Sequence, residues 1–196
     1  MTTWRRKTNR LPPDASAGPN AYVVTIATEG RAKCFADPAI VEACVQALYA
    51  ASSIEAMRVH AYVFMSDHCH LLLAGTDEAR LASFMKHFKQ VTAYSYKHSH
   101  GSALWQKSYH DHVLRKEEDM EDVANYIALN PVRAGLVDSW EVYPFTGGDA
   151  FDGRSLGDLK VAATSHTAST GRTSRMIATV RPEGHLLRLL RPSSST

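Results

Sequence analysis

Apolar and polar positions along this chain switch between the two periods of regular structure. Ala21-Tyr22-Val23-Val24-Thr25-Ile26-Ala27 is an apolar, β-branched run and reads as a buried strand. From Asp37-Pro38 the pattern becomes helical. Asp37 suits the cap and Pro38 the first helical position, and the helix runs to about Ala51, where Ser52-Ser53 breaks it. Residues 56–65 and 68–74 read as two further strands, with Ser66-Asp67 as the turn between them. Thr76-Asp77-Glu78 caps a second long helix, about 77–98, with apolar positions at Leu81, Phe84, Met85, Phe88 and Val91. After a linker ended by Gly101, Ser108 to Arg115 alternates as a fourth strand. Residues 117–129 form a third helix, stopped by Asn130-Pro131.

The order β-α-β-β-α-β followed by a helix is the split βαβ pattern of an α+β, ferredoxin-like fold. It predicts a four-stranded antiparallel sheet with the first and third strands in its centre. The first two helices cover one face, and the last helix is free to fold over the other. Residues 1–19, rich in Arg, Pro, Ala, Gly and Asn, read as a basic arm. Residues 20–147 form the domain, and residues 148–196 read as a basic, largely irregular tail.

Composition adds limits. At 196 residues, with ordinary apolar and charged fractions, the chain has the size of one globular domain. No apolar run approaches the length of a bilayer span, and no apolar signal segment follows the basic N-terminus, so a cytoplasmic, nucleoid-associated protein is expected. The three cysteines, Cys34, Cys44 and Cys69, are scattered, which fits a reducing compartment and excludes a CxxC metal site. Charge is unevenly spread. Arg5, Arg6, Lys7 and Arg10 make one end basic, and Arg172, Arg175, Arg181, Arg188 and Arg191 make the other end basic against a single Glu183. The whole chain carries only +2, so the body between is acidic. Basic ends on an acidic body point either to arms that reach for a polyanion or to tails that are merely well solvated.

The chemistry concentrates at His68-Cys69-His70. In a strand the two imidazoles share a face, roughly 6–7 Å apart, while Cys69 turns to the opposite face. That spacing lets both rings reach one divalent ion. Two ligands alone do not close a site, and a pair of half-exposed strand histidines is the plain alternative. A second feature lies on the third helix. Met120, Val123, Ala124 and Ile127 recur at core spacing, whereas Tyr126 falls on the polar stripe with Asp119, Asp122 and Asn130. Asn130 follows Tyr126 by one turn, so both can project at one place. A tyrosine held beside a divalent ion is a competent nucleophile towards phosphorus, and Asn130 offers an amide oxygen as a third ligand. Two imidazoles with oxygen ligands suit Mg²⁺ or Mn²⁺. A tyrosine taken alone is more often structural.

His68-Cys69-His70, followed by Leu71-Leu72-Leu73, resembles the His-hydrophobic-His motif of the HUH nucleases. Trp105 to Arg115, Tyr126-Ile127-Ala128-Leu129-Asn130-Pro131-Val132-Arg133-Ala134-Gly135-Leu136-Val137 and Tyr143-Pro144-Phe145 together resemble the REP-associated tyrosine transposases, a branch of the single-tyrosine HUH transposases. The resemblance spans about residues 20–147. It implies a metal-dependent nuclease and strand transferase that cuts single-stranded DNA beside a hairpin. It implies Tyr126 as the nucleophile that forms a 5′-phosphotyrosine and frees a 3′-hydroxyl. His68, His70 and Asn130 would be the metal ligands, with Mg²⁺ or Mn²⁺ as the ion and the active species a monomer or homodimer. The one departure is Cys69, smaller than the usual middle residue, which should pack if buried and be prone to oxidation if exposed.

Further residues are candidates for DNA contact: Arg5, Arg6 and Lys7 in the arm, Lys86 and Lys89 on the second helix, and His112 and Arg115 on the fourth strand. His110 and His112 share a strand face and form a second conceivable metal pair. Trp105 and Tyr109 have the surface to stack on bases, though core packing serves them equally. The alternative to a nuclease is a non-catalytic module that binds single-stranded nucleic acid on the same sheet; the aromatic sheet motif of RNA-recognition domains is absent. A phosphoesterase for small substrates would need the histidines and have no use for Tyr126.

Overall fold

The computed structural model describes residues 17–114 and 119–151. Its five strands are β1 (Ala21–Ala27), β2 (Met57–Met65), β3 (His68–Gly75), β4 (His110–Val113) and β5 (Thr146–Gly147). They form one antiparallel sheet in the order β4-β1-β3-β2-β5, so β1 and β3 are central as the sequence pattern requires. The helices are α1 (Pro38–Ile54), α2 (Leu81–His100), α3 (Met120–Ala128) and the short α4 (Asn130–Arg133).

Burial follows the strand alternation and assigns each helix to a face. Tyr22, Val24 and Ile26 of β1 and Cys69, Leu71 and Leu73 of β3 point to the back, where they meet Val41, Cys44 and Leu48 of α1 and Leu81, Phe84, Met85 and Phe88 of α2. The front is smaller. Ala61, Val63 and Met65 of β2 and Leu72 of β3 are covered by Ala124 and Ile127 of α3 and by Ala150. β2 is therefore apolar on both sides. An irregularity between Val59 and Ala61 shifts its register, so Met57 and Val59 face back with Tyr62 and Phe64.

Several boundaries differ from the sequence reading, each for a local reason. Ser52 and Ser53 do not break α1. Their hydroxyls return to the Tyr49 carbonyl at 2.9 and 3.1 Å, which satisfies them inside a continuing helix. Thr76-Asp77-Glu78 does not cap α2. These residues make a turn closed by the Ala79 N–H on the Thr76 carbonyl, and the helix starts at Leu81 without a side-chain cap. Of the apolar positions on this helix, Val91 is not buried but 46% exposed. α2 ends at Gly101, whose φ of +70° is the left-handed conformation a glycine adopts most cheaply. Asp119 caps α3 through the Glu121 N–H. Asn130-Pro131 does not end the helical path, because Leu129 keeps a right-handed conformation and α4 follows directly, with Pro131 in its first turn, where a missing N–H costs nothing.

The fifth strand corrects the expected four. β5 pairs with Tyr62 and Val63 on the outer edge of β2, and a side chain at Gly147 would collide with the Tyr62 hydroxyl. Packing continues to Phe151, past the expected domain end, with Ala150 buried and Asp149 paired to Arg58 at 2.8 Å. Among the described residues no helix is long and apolar enough to cross a membrane.

Candidate active site

The histidine pair sits on the front of β3. His70 lies between Thr25 of β1 and Val63 of β2, and His68 between Ala27 and Met65. Cys69 between them is fully buried in the back core, and burial pushes its thiol well above the ordinary range, so it is shielded from the site and from oxidants.

Each imidazole is held by its Nδ1. His68 Nδ1 lies 2.6 Å from Asp67 Oδ1, and His70 Nδ1 lies 2.8 Å from Thr25 Oγ1. Both Nε2 atoms are thus left for another partner, the arrangement in which histidine binds metals while a neighbour fixes its tautomer. The ring centres are 5.0 Å apart and the planes cross at 89°. Two imidazoles on one ion, with bonds of about 2.1 Å meeting near a right angle, place their centres about 5 Å apart, so the spacing matches. Burial, then the neighbouring His68 and Arg133, lower the His70 pKa to about 4, which keeps its ring neutral and its lone pair available at neutral pH.

The support for this pair extends outward. Burial raises the Asp67 carboxyl, but the His68 hydrogen bond and charge, together with Arg31 at 3.4 Å, outweigh it and hold the group below its usual value. The Asp67 carbonyl accepts from the Thr28 N–H at 2.9 Å and lies 2.9 Å from the Thr28 hydroxyl, itself fully buried. The turn that delivers His68 is therefore clamped to the end of β1.

α3 crosses this same front face. Ala124 and Ile127 seat on Leu72, the residue after His70 on the front of β3, and on Ala61 and Val63. Tyr126 stands on the outer side of that helix and is 61% exposed. Tyr94 is also exposed, but it belongs to α2 on the back. Tyr143 is spoken for: its hydroxyl donates to the Phe64 carbonyl at 2.9 Å, and burial pushes its pKa up to about 12. Asn130 turns its amide nitrogen to the Tyr126 and Ile127 carbonyls at 3.2 and 3.0 Å, so it closes the end of α3 and its amide oxygen is the atom left for a ligand.

The remaining candidates separate by face. His110 and His112 are exposed on β4, opposite Thr25 and Val23, and share the front with His70. Lys86 and Lys89 lie on α2 behind the sheet, and Lys89 Nζ is bonded to the Gln106 and Lys107 carbonyls at 2.8 and 3.1 Å, which gives it a structural task. Trp105 and Tyr109 are buried in the back core, with Trp105 Nε1 donating to Thr92 Oγ1 at 2.8 Å, so the packing reading holds for both. Arg5, Arg6, Lys7 and Arg115 lie outside the described residues. Among the described residues no group of three His, Cys, Asp or Glu side chains converges on a point.

Three residues at this site escape the sequence reading. Thr25 is the one aliphatic hydroxyl in an apolar strand, a signal in itself. Asp67 reads as turn chemistry and hides its second task. Arg133 falls two turns beyond Tyr126, yet its guanidinium carbon stands 3.9 Å from the centre of the Tyr126 ring and its Nη2 donates to the Tyr126 carbonyl at 2.7 Å.

Comparison with known proteins agrees with this fold. No curated protein matches the chain. Among solved structures, one described as a REP-associated tyrosine transposase bound to a REP hairpin superposes with a TM-score of 0.59 at 17% identity, covering 91% of this chain and all of the other. A putative transposase from Deinococcus radiodurans aligns with a TM-score of 0.44 at 19% identity over 58% of this chain and 88% of that one. The first shares the fold. The family described as transposase IS200-like matches residues 20–130, a span that opens just before β1 and closes on Asn130, and by that match the chain belongs to the IS200-like transposase family.

Proposed function

We propose that this transposase-family protein cuts and rejoins single-stranded DNA beside a hairpin, with Tyr126 as the nucleophile. The observation that carries the reading is the packing of the Tyr126 helix on the same sheet face from which His68 and His70 project. The fold shared with a transposase bound to a REP hairpin supports a hairpin as the recognised feature.

The residues fit a divalent ion. The Nε2 atoms of His68 and His70 and the amide oxygen of Asn130 would hold Mg²⁺ or Mn²⁺, with Thr25 and Asp67 fixing the rings. Such an ion, when bound, neutralises charge on the phosphate and on the departing oxygen. The Tyr126 oxygen attacks phosphorus in line. A bond forms from that oxygen to phosphorus, and the bond from phosphorus to the 3′-oxygen of the preceding nucleotide breaks. The tyrosine proton passes to solvent, and the departing 3′-oxygen takes one up. The product is a 5′-phosphotyrosine with a free 3′-hydroxyl. Because one phosphodiester replaces another, attack by a 3′-hydroxyl reverses the step and joins strands with no external energy.

The test is incubation of the protein with a hairpin oligonucleotide carrying randomised single-stranded flanks, in Mn²⁺, Mg²⁺ or EDTA. A denaturation-resistant protein–DNA band is expected with either metal and not with EDTA. Tyr126→Phe should lose the band while binding the hairpin as before. Binding by the wild-type protein with no such band in any metal returns the protein to the non-catalytic module.

A further inference from the structure

Arg133 is placed against Tyr126 by the way α3 gives onto α4. Leu129 joins the two helices with ψ near 0°, and the side chain of Arg133 comes back over the tyrosine two turns earlier. Two contacts follow, the guanidinium over the ring at 3.9 Å and Nη2 on the Tyr126 carbonyl at 2.7 Å. The carbonyl is one of the acceptors left open at the end of α3, and Asn130 Nδ2 shares it. The ring contact is a cation over an aromatic face.

We infer that Arg133 is a positioning residue for Tyr126. It pins the ring by its charge and the main chain by its hydrogen bond, and so fixes the direction from which the tyrosine approaches its substrate. The inference rests on Tyr126 acting as the nucleophile. It gives a hold to a tyrosine that is 61% exposed and belongs to neither of the buried clusters among the described residues.

The experiment compares Arg133→Gln and Arg133→Lys with the wild-type protein in single-turnover adduct formation on the hairpin oligonucleotide with randomised flanks. At saturating DNA, Arg133→Gln should be slower by about tenfold to a hundredfold, the scale of losing an attack orientation. Hairpin affinity in EDTA, Mn²⁺ affinity by electron paramagnetic resonance and the melting temperature should stay close to wild type. Arg133→Lys keeps a cation over the ring and should recover part of the rate. A wild-type rate in Arg133→Gln, or a loss confined to DNA affinity or to melting temperature, overturns the inference, as does a lysine variant no faster than the glutamine one. A DNA-free measurement separates this from the nuclease reading. The Arg133 side-chain protons should be shifted upfield by the tyrosine ring current in NMR and return to ordinary positions in Tyr126→Leu. Unshifted protons in the wild-type protein refute the contact. If the wild-type protein makes no adduct, the nuclease reading fails and this shift alone decides whether the two side chains are paired.

Discussion

At the scale of single residues, the site depends on two imidazoles whose second nitrogens are already engaged. Burial, with the nearby positive groups, depresses the His70 pKa to about 4 in the folded protein, against about 6.5 in the unfolded chain. The unfolded chain then binds more protons between those values, so stability is complete above about pH 6.5 and is lost as pH falls towards 4. The metal-free protein should lose up to about 3 kcal/mol across that window in urea titrations. His70→Gln should flatten the dependence, and an unchanged slope in that variant would assign it to another group. Asp67→Ala should weaken Mn²⁺ binding by about 10- to 100-fold, the usual effect of losing a carboxylate behind a histidine ligand. Hairpin binding in EDTA should be unaffected, and equal Mn²⁺ affinity in the variant would remove Asp67 from that task.

At the scale of elements, α3 is the piece whose seating decides whether tyrosine and histidines serve one reaction. Ile127 is 1% exposed and fills the front core against β2 and β3. Ile127→Ala should cost about 2–4 kcal/mol in chemical denaturation. It should also slow adduct formation beyond any change in DNA affinity; unaltered adduct kinetics with the full stability loss would mean that the helix seat does not set the tyrosine. The elements were legible in proportion to the length and regularity of their patterns. The apolar strands β1 to β3 and the Asp37-Pro38 start of α1 stand out in the sequence. The start of α2 does not, because Thr76, Asp77 and Glu78 suit a turn as well as a cap. β5 has two residues, too few for any alternation to register. The His68 and His70 pairing on one face follows directly from strand geometry, whereas the Arg133 contact depends on α4 following α3 directly through Leu129, which no periodicity announces.

At the scale of the whole molecule, the sheet divides labour between its faces. The back face carries the larger core and engages Lys89 in loop architecture, while the front face carries His68, His70, His110, His112 and the Tyr126 helix. DNA is therefore expected on the front, with added affinity from the basic end at Arg5, Arg6, Lys7 and Arg10. Deleting residues 1–16 should reduce the salt dependence of hairpin binding by a log–log slope of about 3, and a slope equal to wild type would exclude the arm from phosphate contact. The central claim is that one tyrosine joins covalently to DNA, and peptide mapping tests it most directly. After reaction with Mn²⁺ and the hairpin oligonucleotide, protease and nuclease digestion followed by mass spectrometry should find a 5′-linked nucleotide on Tyr126 and nowhere else. A nucleotide on a different residue, or a free 5′-phosphate product with no protein-linked DNA at any time, would contradict the account.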